Sequence, residues 1–156
     1  MFIFARAVVY ATFFIGFVLV ALPARVLAAA GAQTPASTGP LQVGGMAAAG
    51  LGAVVLLACV LTFVFVGKGT PAPFDPPRRL VVSGPYRWVR NPMYVGAALA
   101  MSGAAAYYES PALGAYVAAF LVATHLFVIG YEEPTLRRLF DGPYEQYCRR
   151  VPRWLF

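Results

Sequence analysis

Charge is what this sequence has little of: 12% of its 156 residues are Asp, Glu, Lys or Arg, against roughly 25% in an average soluble domain. With 60% of the residues hydrophobic, water is excluded as the solvent for most of the chain. Cysteine is also scarce, and the 2 present are placed in an apolar run and in the C-terminal tail, which excludes a disulfide framework. Histidine occurs 1 time, and no metal site is expected. The positive residues outnumber the negative ones, 12 to 6, but they are not spread along one face as a nucleic-acid surface would require, so no nucleic-acid partner is expected.

What is there instead is a series of uncharged runs at 7–22, 41–66, 93–108 and 111–131. A spanning helix needs about 20 mostly apolar residues, so the expected fold is all-α, an integral membrane bundle of about four transmembrane helices. A single domain covers 1–156, with spans at 5–27, 42–66, 92–108 and 111–132, a structured loop at 67–91 and a tail at 133–156. Lys68, Arg78, Arg79, Arg87 and Arg90 fall in that loop, and Arg137, Arg138, Arg149, Arg150 and Arg153 fall in the tail. The positive-inside rule then makes the protein multi-pass in an inner or plasma membrane, with loop, tail and both termini cytosolic. An alternative for the first segment is a cleaved signal peptide, with Arg6 in its charged start and small residues at 28–32.

Small residues at four-residue spacing, Gly44, Ala48 and Gly52 in the second run and Gly96, Ala100 and Ala104 in the third, read as faces for close helix packing. The turn at Tyr108, Glu109, Ser110 and Pro111 makes the last two spans an antiparallel hairpin. Pro71, Pro73, Pro76, Pro77 and Pro85 rule out a long helix in the 67–91 loop. After Pro134, the spacing of Leu136, Leu139, Phe140, Tyr144 and Tyr147 predicts an amphipathic helix on the membrane surface.

Asn91-Pro92 is a helix start, with Asn as N-cap, and its free N–H groups beside Arg90 suit an anion. Glu132 and Glu133 stand where the fourth span should end, at the negative pole of its dipole, and need a cation to offset them. The neighbouring Arg137 and Arg138 could supply it, or a positively charged ligand could. The hairpin sets the two features side by side, an arrangement that suits a zwitterion. Gly67 and Gly69 around Lys68 would admit a ligand close to the backbone, and they would equally serve to end a helix. His125 lies seven residues before Glu132, which puts it on the same helical face and deeper in the membrane. It is a candidate proton acceptor, or a neutral side chain bonded to a neighbouring helix.

From Gly67 onward the sequence resembles the membrane methyltransferases that include the phospholipid N-methyltransferases and isoprenylcysteine carboxyl methyltransferase. Gly67-Lys68-Gly69-Thr70 is similar to a Gly-x-Gly cofactor motif, and Tyr131-Glu132-Glu133-Pro134 to a paired-glutamate motif. Arg90-Asn91-Pro92-Met93-Tyr94-Val95-Gly96 resembles an Arg-His-Pro-x-Tyr-x-Gly segment, with Asn91 in place of the histidine. Tyr144 to Tyr147 and Arg150-Val151-Pro152 resemble the ending of the prenylcysteine enzymes.

The resemblance implies S-adenosylmethionine as cofactor, contacted by Gly67, Gly69, Arg90, Asn91, Tyr94, Gly96, Glu132 and Glu133, and a lipophilic or lipid methyl acceptor. A carboxylate acceptor would be held by Arg138 or Arg150, and an amine acceptor would give its proton to Glu132 or His125. Three other functions remain open from sequence: a nicotinamide-dependent reductase of similar architecture, a small transporter or channel using His125 and the glutamates, and a noncatalytic assembly protein.

Overall fold

A computed structural model describes residues 15–67 and 79–155, and every described regular element is helical. Gly69, with Lys68, Thr70, Arg78, Arg6 and the prolines at 71, 73, 76 and 77, lies outside the described residues. Helix α1 (Leu22–Ala29) continues a π-helical stretch, Ile15–Ala21. Helix α2 (Pro40–Thr62) runs into a π turn, Phe63–Gly67. A 3-10 turn, Gly84–Arg87, leads to α3 (Pro92–Tyr107). Helix α4 (Pro111–Phe127) passes through another π turn, Val128–Glu132, directly into α5 (Glu133–Arg150).

Among the described residues two helices are long and apolar enough to cross a membrane, Pro40–Gly67 with 28 residues and the run beginning at Pro111. At about 1.5 Å per residue the first spans about 42 Å, well beyond a hydrocarbon core. Helix α3, at 16 residues, is apolar and one residue shorter than the span expected there, and the described part of the first segment includes an apolar helix, Gly16–Ala29. Val43, Val54, Leu57 and Leu61 of α2 and Val122 and Leu126 of α4 all stand exposed, a continuous apolar exterior that suits lipid.

Helices α2 and α3 lie antiparallel with their backbones in contact. A Cβ on Gly52 would sit 2.6 Å from the Gly96 carbonyl oxygen, and one on Gly45 would sit 2.7 Å from that of Gly103. The packing faces are therefore Gly45, Ala49 and Gly52 against Gly96, Ala100 and Gly103, while Gly44 meets nothing. The sequence expectation of a Gly44, Ala48 and Gly52 stripe is corrected by one residue, because an interface with a period near 3.6 alternates spacings of three and four. Leu56, Ala97, Ala98, Met101, Val117 and Phe120 form the core where α2, α3 and α4 meet.

The α3–α4 turn is fixed by Ser110, whose hydroxyl accepts from the Leu113 N–H at 3.3 Å, a cap worth about 1 kcal/mol. Beside it the Gln42 amide donates to Glu109 at 2.6 Å, tying the start of α2 to the turn. Tyr116 donates to the Val18 carbonyl at 2.8 Å and holds the N-terminal π stretch against α4.

The tail departs from the sequence expectation. No break follows Pro134: the helix carries on, and the interruption comes at Asp141, with φ 42 and ψ −123, just ahead of Pro143. Tyr144, Tyr147 and Val151 are buried, with Leu80 of the preceding loop and Leu136, Phe140 and Cys148 of α5 packed against them, so part of the apolar face of the tail is taken up within the protein. Leu139 is not on that face and is 52% exposed.

Candidate functional site

The start of α3 and the junction of α4 with α5 meet at one end of the bundle, opposite the Glu109 turn. Two features of the backbone prepare this end. Both α2 and α4 close in π turns, at Phe63–Gly67 and Val128–Glu132, and such single wide turns inside helices recur at functional sites. Gly67 is buried at the end of the first, and Glu132 is the last residue of the second.

The two glutamates have different surroundings. Glu133 is buried and its carboxylate takes a two-pronged hydrogen bond from Arg153, Nε to Oε1 at 2.6 Å and the second nitrogen to Oε2 at 2.9 Å. Arg90 completes the cluster at 3.1 Å, with 11% of its side chain exposed. Burial by itself would raise the Glu133 carboxyl, but the Arg153 hydrogen bond and the charges of Arg90, Arg153 and Arg137 outweigh it and hold the group below its ordinary range. Glu132 instead accepts a hydrogen bond from the Tyr94 hydroxyl at 3.1 Å, and among the described residues no arginine pairs with it.

Arg90 and Glu133 were expected from sequence to take opposite charges of one ligand. The structure pairs them with each other. The Arg90 guanidinium also donates to the Cys148 sulfur at 2.8 Å, and among the described residues its buried Nε has no hydrogen-bond partner. Asn91 occupies the N-cap position of α3 but makes no side-chain cap, correcting the sequence reading. Its amide donates to the Arg153 carbonyl at 3.1 Å, and the Arg90 N–H donates to the Pro152 carbonyl at 2.9 Å. These two bonds need an extended strand after α5, which the Val151 backbone supplies with φ −123 and ψ 123.

Around Glu132 the lining is phenolic. Tyr94 packs edge-on against Phe120 at a ring separation of 6.5 Å. Tyr86 is buried beside Cys59 and Phe63. Burial first, then the Cys59 sulfur and Glu132, push the Tyr86 phenol well above its ordinary value, so it remains a neutral hydroxyl. Its backbone carbonyl accepts from the Tyr147 hydroxyl at 2.6 Å, which fixes the 3-10 turn to the tail.

The remaining sequence candidates fall elsewhere. His125 is exposed and accepts from the Trp154 indole N–H at 3.1 Å, and a π turn, which shifts the helical phase, lies between it and Glu132. Arg138 is exposed and donates to the Pro134 carbonyl at 3.3 Å, and Arg150 is exposed at the end of α5. Arg137 pairs at 3.5 Å with Glu145 on the surface, a contact of little energetic weight. Gly96 serves the α2 contact. Sequence reasoning did not single out Arg153, Tyr86 or Trp154. The usable signal for Arg153 was its position two residues beyond Val151, which puts both side chains on one side of an extended segment.

A family model described as phospholipid methyltransferase matches residues 41–142. No curated protein and no solved structure matches the chain. The matched stretch takes in Gly67, Arg90, Tyr94 and both glutamates, and stops short of Arg153.

Proposed function

Because the chain belongs to the phospholipid methyltransferase family, we propose that it transfers a methyl group from S-adenosylmethionine to a lipophilic acceptor delivered from the membrane. The observation that carries this reading is the contrast within the glutamate pair. Glu133 has two arginines. Glu132, its neighbour, has a tyrosine and no cation among the described residues. A carboxylate in a largely apolar setting is costly without a positive partner, and the ammonium of S-adenosylmethionine would be that partner.

Glu132 and Tyr94 would hold the cofactor, with Gly67 and Gly69 allowing close approach of the backbone. The cofactor supplies a methyl group already activated by a sulfonium charge, so the protein's part is to bind, orient and exclude water. The apolar exterior of α2 and α4 lets an acceptor enter sideways from lipid. The exposed Arg138 and Arg150 are suited to a phosphate or carboxylate on that acceptor. For an amine acceptor, Glu132 is better placed than His125 to take the proton, since His125 is engaged by Trp154.

In this reading α2 and the helix beginning at Pro111 cross the bilayer outright. Helix α3 and the N-terminal segment complete a four-span bundle, with the arginine-rich end cytosolic. Incubation of purified protein in native lipid extract with methyl-labelled S-adenosylmethionine tests the proposal. The expected result is a labelled lipophilic product whose formation is blocked by S-adenosylhomocysteine and not by NADPH. Absence of transfer, with competition by NADPH, would favour the reductase architecture instead.

A further inference from the structure

The segment 151–154 crosses the end of the bundle as a strap with four separate ties. Pro152 accepts from the Arg90 N–H at 2.9 Å, the Arg153 carbonyl accepts from Asn91 at 3.1 Å, the Arg153 guanidinium grips Glu133, and Trp154 donates to His125 at 3.1 Å. The first two ties reach the entry to α3, the third reaches the start of α5, and the fourth reaches α4. Tyr94 and Glu132, the proposed cofactor contacts, lie between the elements that the strap joins.

We infer that Arg153 is a positioning residue: by gripping both oxygens of Glu133 it holds the strap across α3 and α4 and leaves Glu132 as the carboxylate that faces a positive ligand. This inference rests on the cofactor reading given above. Arg90 alone does not do the same work, because it approaches Glu133 through one contact and also donates to Cys148. The charged and titratable groups around Glu133 are Arg153 from the strap, Arg90 from the loop, Arg137 and Tyr144 from α5, and the adjacent Glu132. Of these, Arg153 makes the bidentate bond, the geometry for which lysine is a poor substitute in direction but not in charge.

The test compares Arg153→Ala and Arg153→Lys with the parent protein, all in a Trp88→Phe background so that Trp154 reports alone. Binding of labelled S-adenosylmethionine is measured across pH 5 to 8, and Trp154 emission is recorded without ligand. For Arg153→Ala the expected result is a red shift of Trp154, cofactor binding weaker by about tenfold (~1.4 kcal/mol), and an acid limb of the binding profile displaced to higher pH. Arg153→Lys keeps the charge and so restores the pH profile, but lacks the two-pronged grip and restores only part of the binding. Unchanged binding and pH profile in folded Arg153→Ala, even with a shifted Trp154, overturns the positioning role. Unchanged Trp154 emission overturns the strap itself. Failure of the parent protein to bind S-adenosylmethionine, with a normal Trp154 response to Arg153→Ala, overturns the cofactor reading and not the mechanical one.

Discussion

The Tyr94 hydroxyl donates to Oε2 of Glu132 at 3.1 Å, joining the first turn of α3 to the last residue of the π turn that ends α4. It is a direct bond between the two helices at the end where the paired glutamates lie, and it orients the carboxylate that the proposed function depends on.

Tyr94→Phe removes that bond and keeps the ring against Phe120. A hydrogen bond to a charged group is worth about 1.5 to 3 kcal/mol, so S-adenosylmethionine affinity should fall on the order of tenfold or more. Helical content should stay near that of the parent, and thermal stability should fall by no more than that bond is worth. Equilibrium binding together with circular dichroism checks both halves.

Glu133→Gln is expected to act on stability. It leaves Arg90 and Arg153 without their shared counter-charge, and breaking a buried pair in this way costs about 3 to 5 kcal/mol, reduced by the one-third exposure of Arg153. Glu132→Gln, which strands no arginine, should leave stability almost untouched. Denaturation of the two variants in the same detergent separates them, and equal loss in both would argue against the division of roles.

Acid should weaken the same cluster. The folded protein holds Glu133 below its ordinary value of 4.5, so its stabilising contribution is complete above that value. The contribution is lost as pH falls from there through the depressed folded value. Thermal unfolding followed from pH 7 to pH 3 should show this loss in the parent protein and a much flatter profile in Glu133→Gln.

The α2–α3 contact gives a packing test. A methyl group at Gly52 would stand 2.5 Å from the Ala100 nitrogen and 2.6 Å from the Gly96 oxygen, both backbone atoms that cannot swing aside. Gly52→Ala should therefore destabilise by about 1 to 3 kcal/mol. Gly44→Ala, which meets nothing, should not. Melting temperatures of the two variants decide between this register and the one read from sequence.

Much of the architecture was legible in residues whose effect is local. Pro92 and Pro111 begin α3 and α4, Ser110 caps, and the apolar runs become helices because each of these signals acts within one or two turns. The glycine faces were legible in kind and wrong in register, since four-residue spacing and the true helical period differ by a fraction of a residue per turn. The partnership of Glu133 was not legible. Arg153 is 20 residues away, and it arrives only because Asp141 breaks α5 and Val151 turns the chain extended. The partner of His125 was not legible either: Trp154 reaches it from 29 residues away, and a π turn, which has no reliable sequence signature, lies between His125 and Glu132.

The proposed function requires Glu132 to be the carboxylate that faces a positively charged ligand. Equilibrium binding of labelled S-adenosylmethionine to lipid-reconstituted parent protein and Glu132→Gln measures it most directly. The expected result is saturable binding by the parent and its loss in the variant, with the variant still folded. Equal affinity in the two proteins would contradict it.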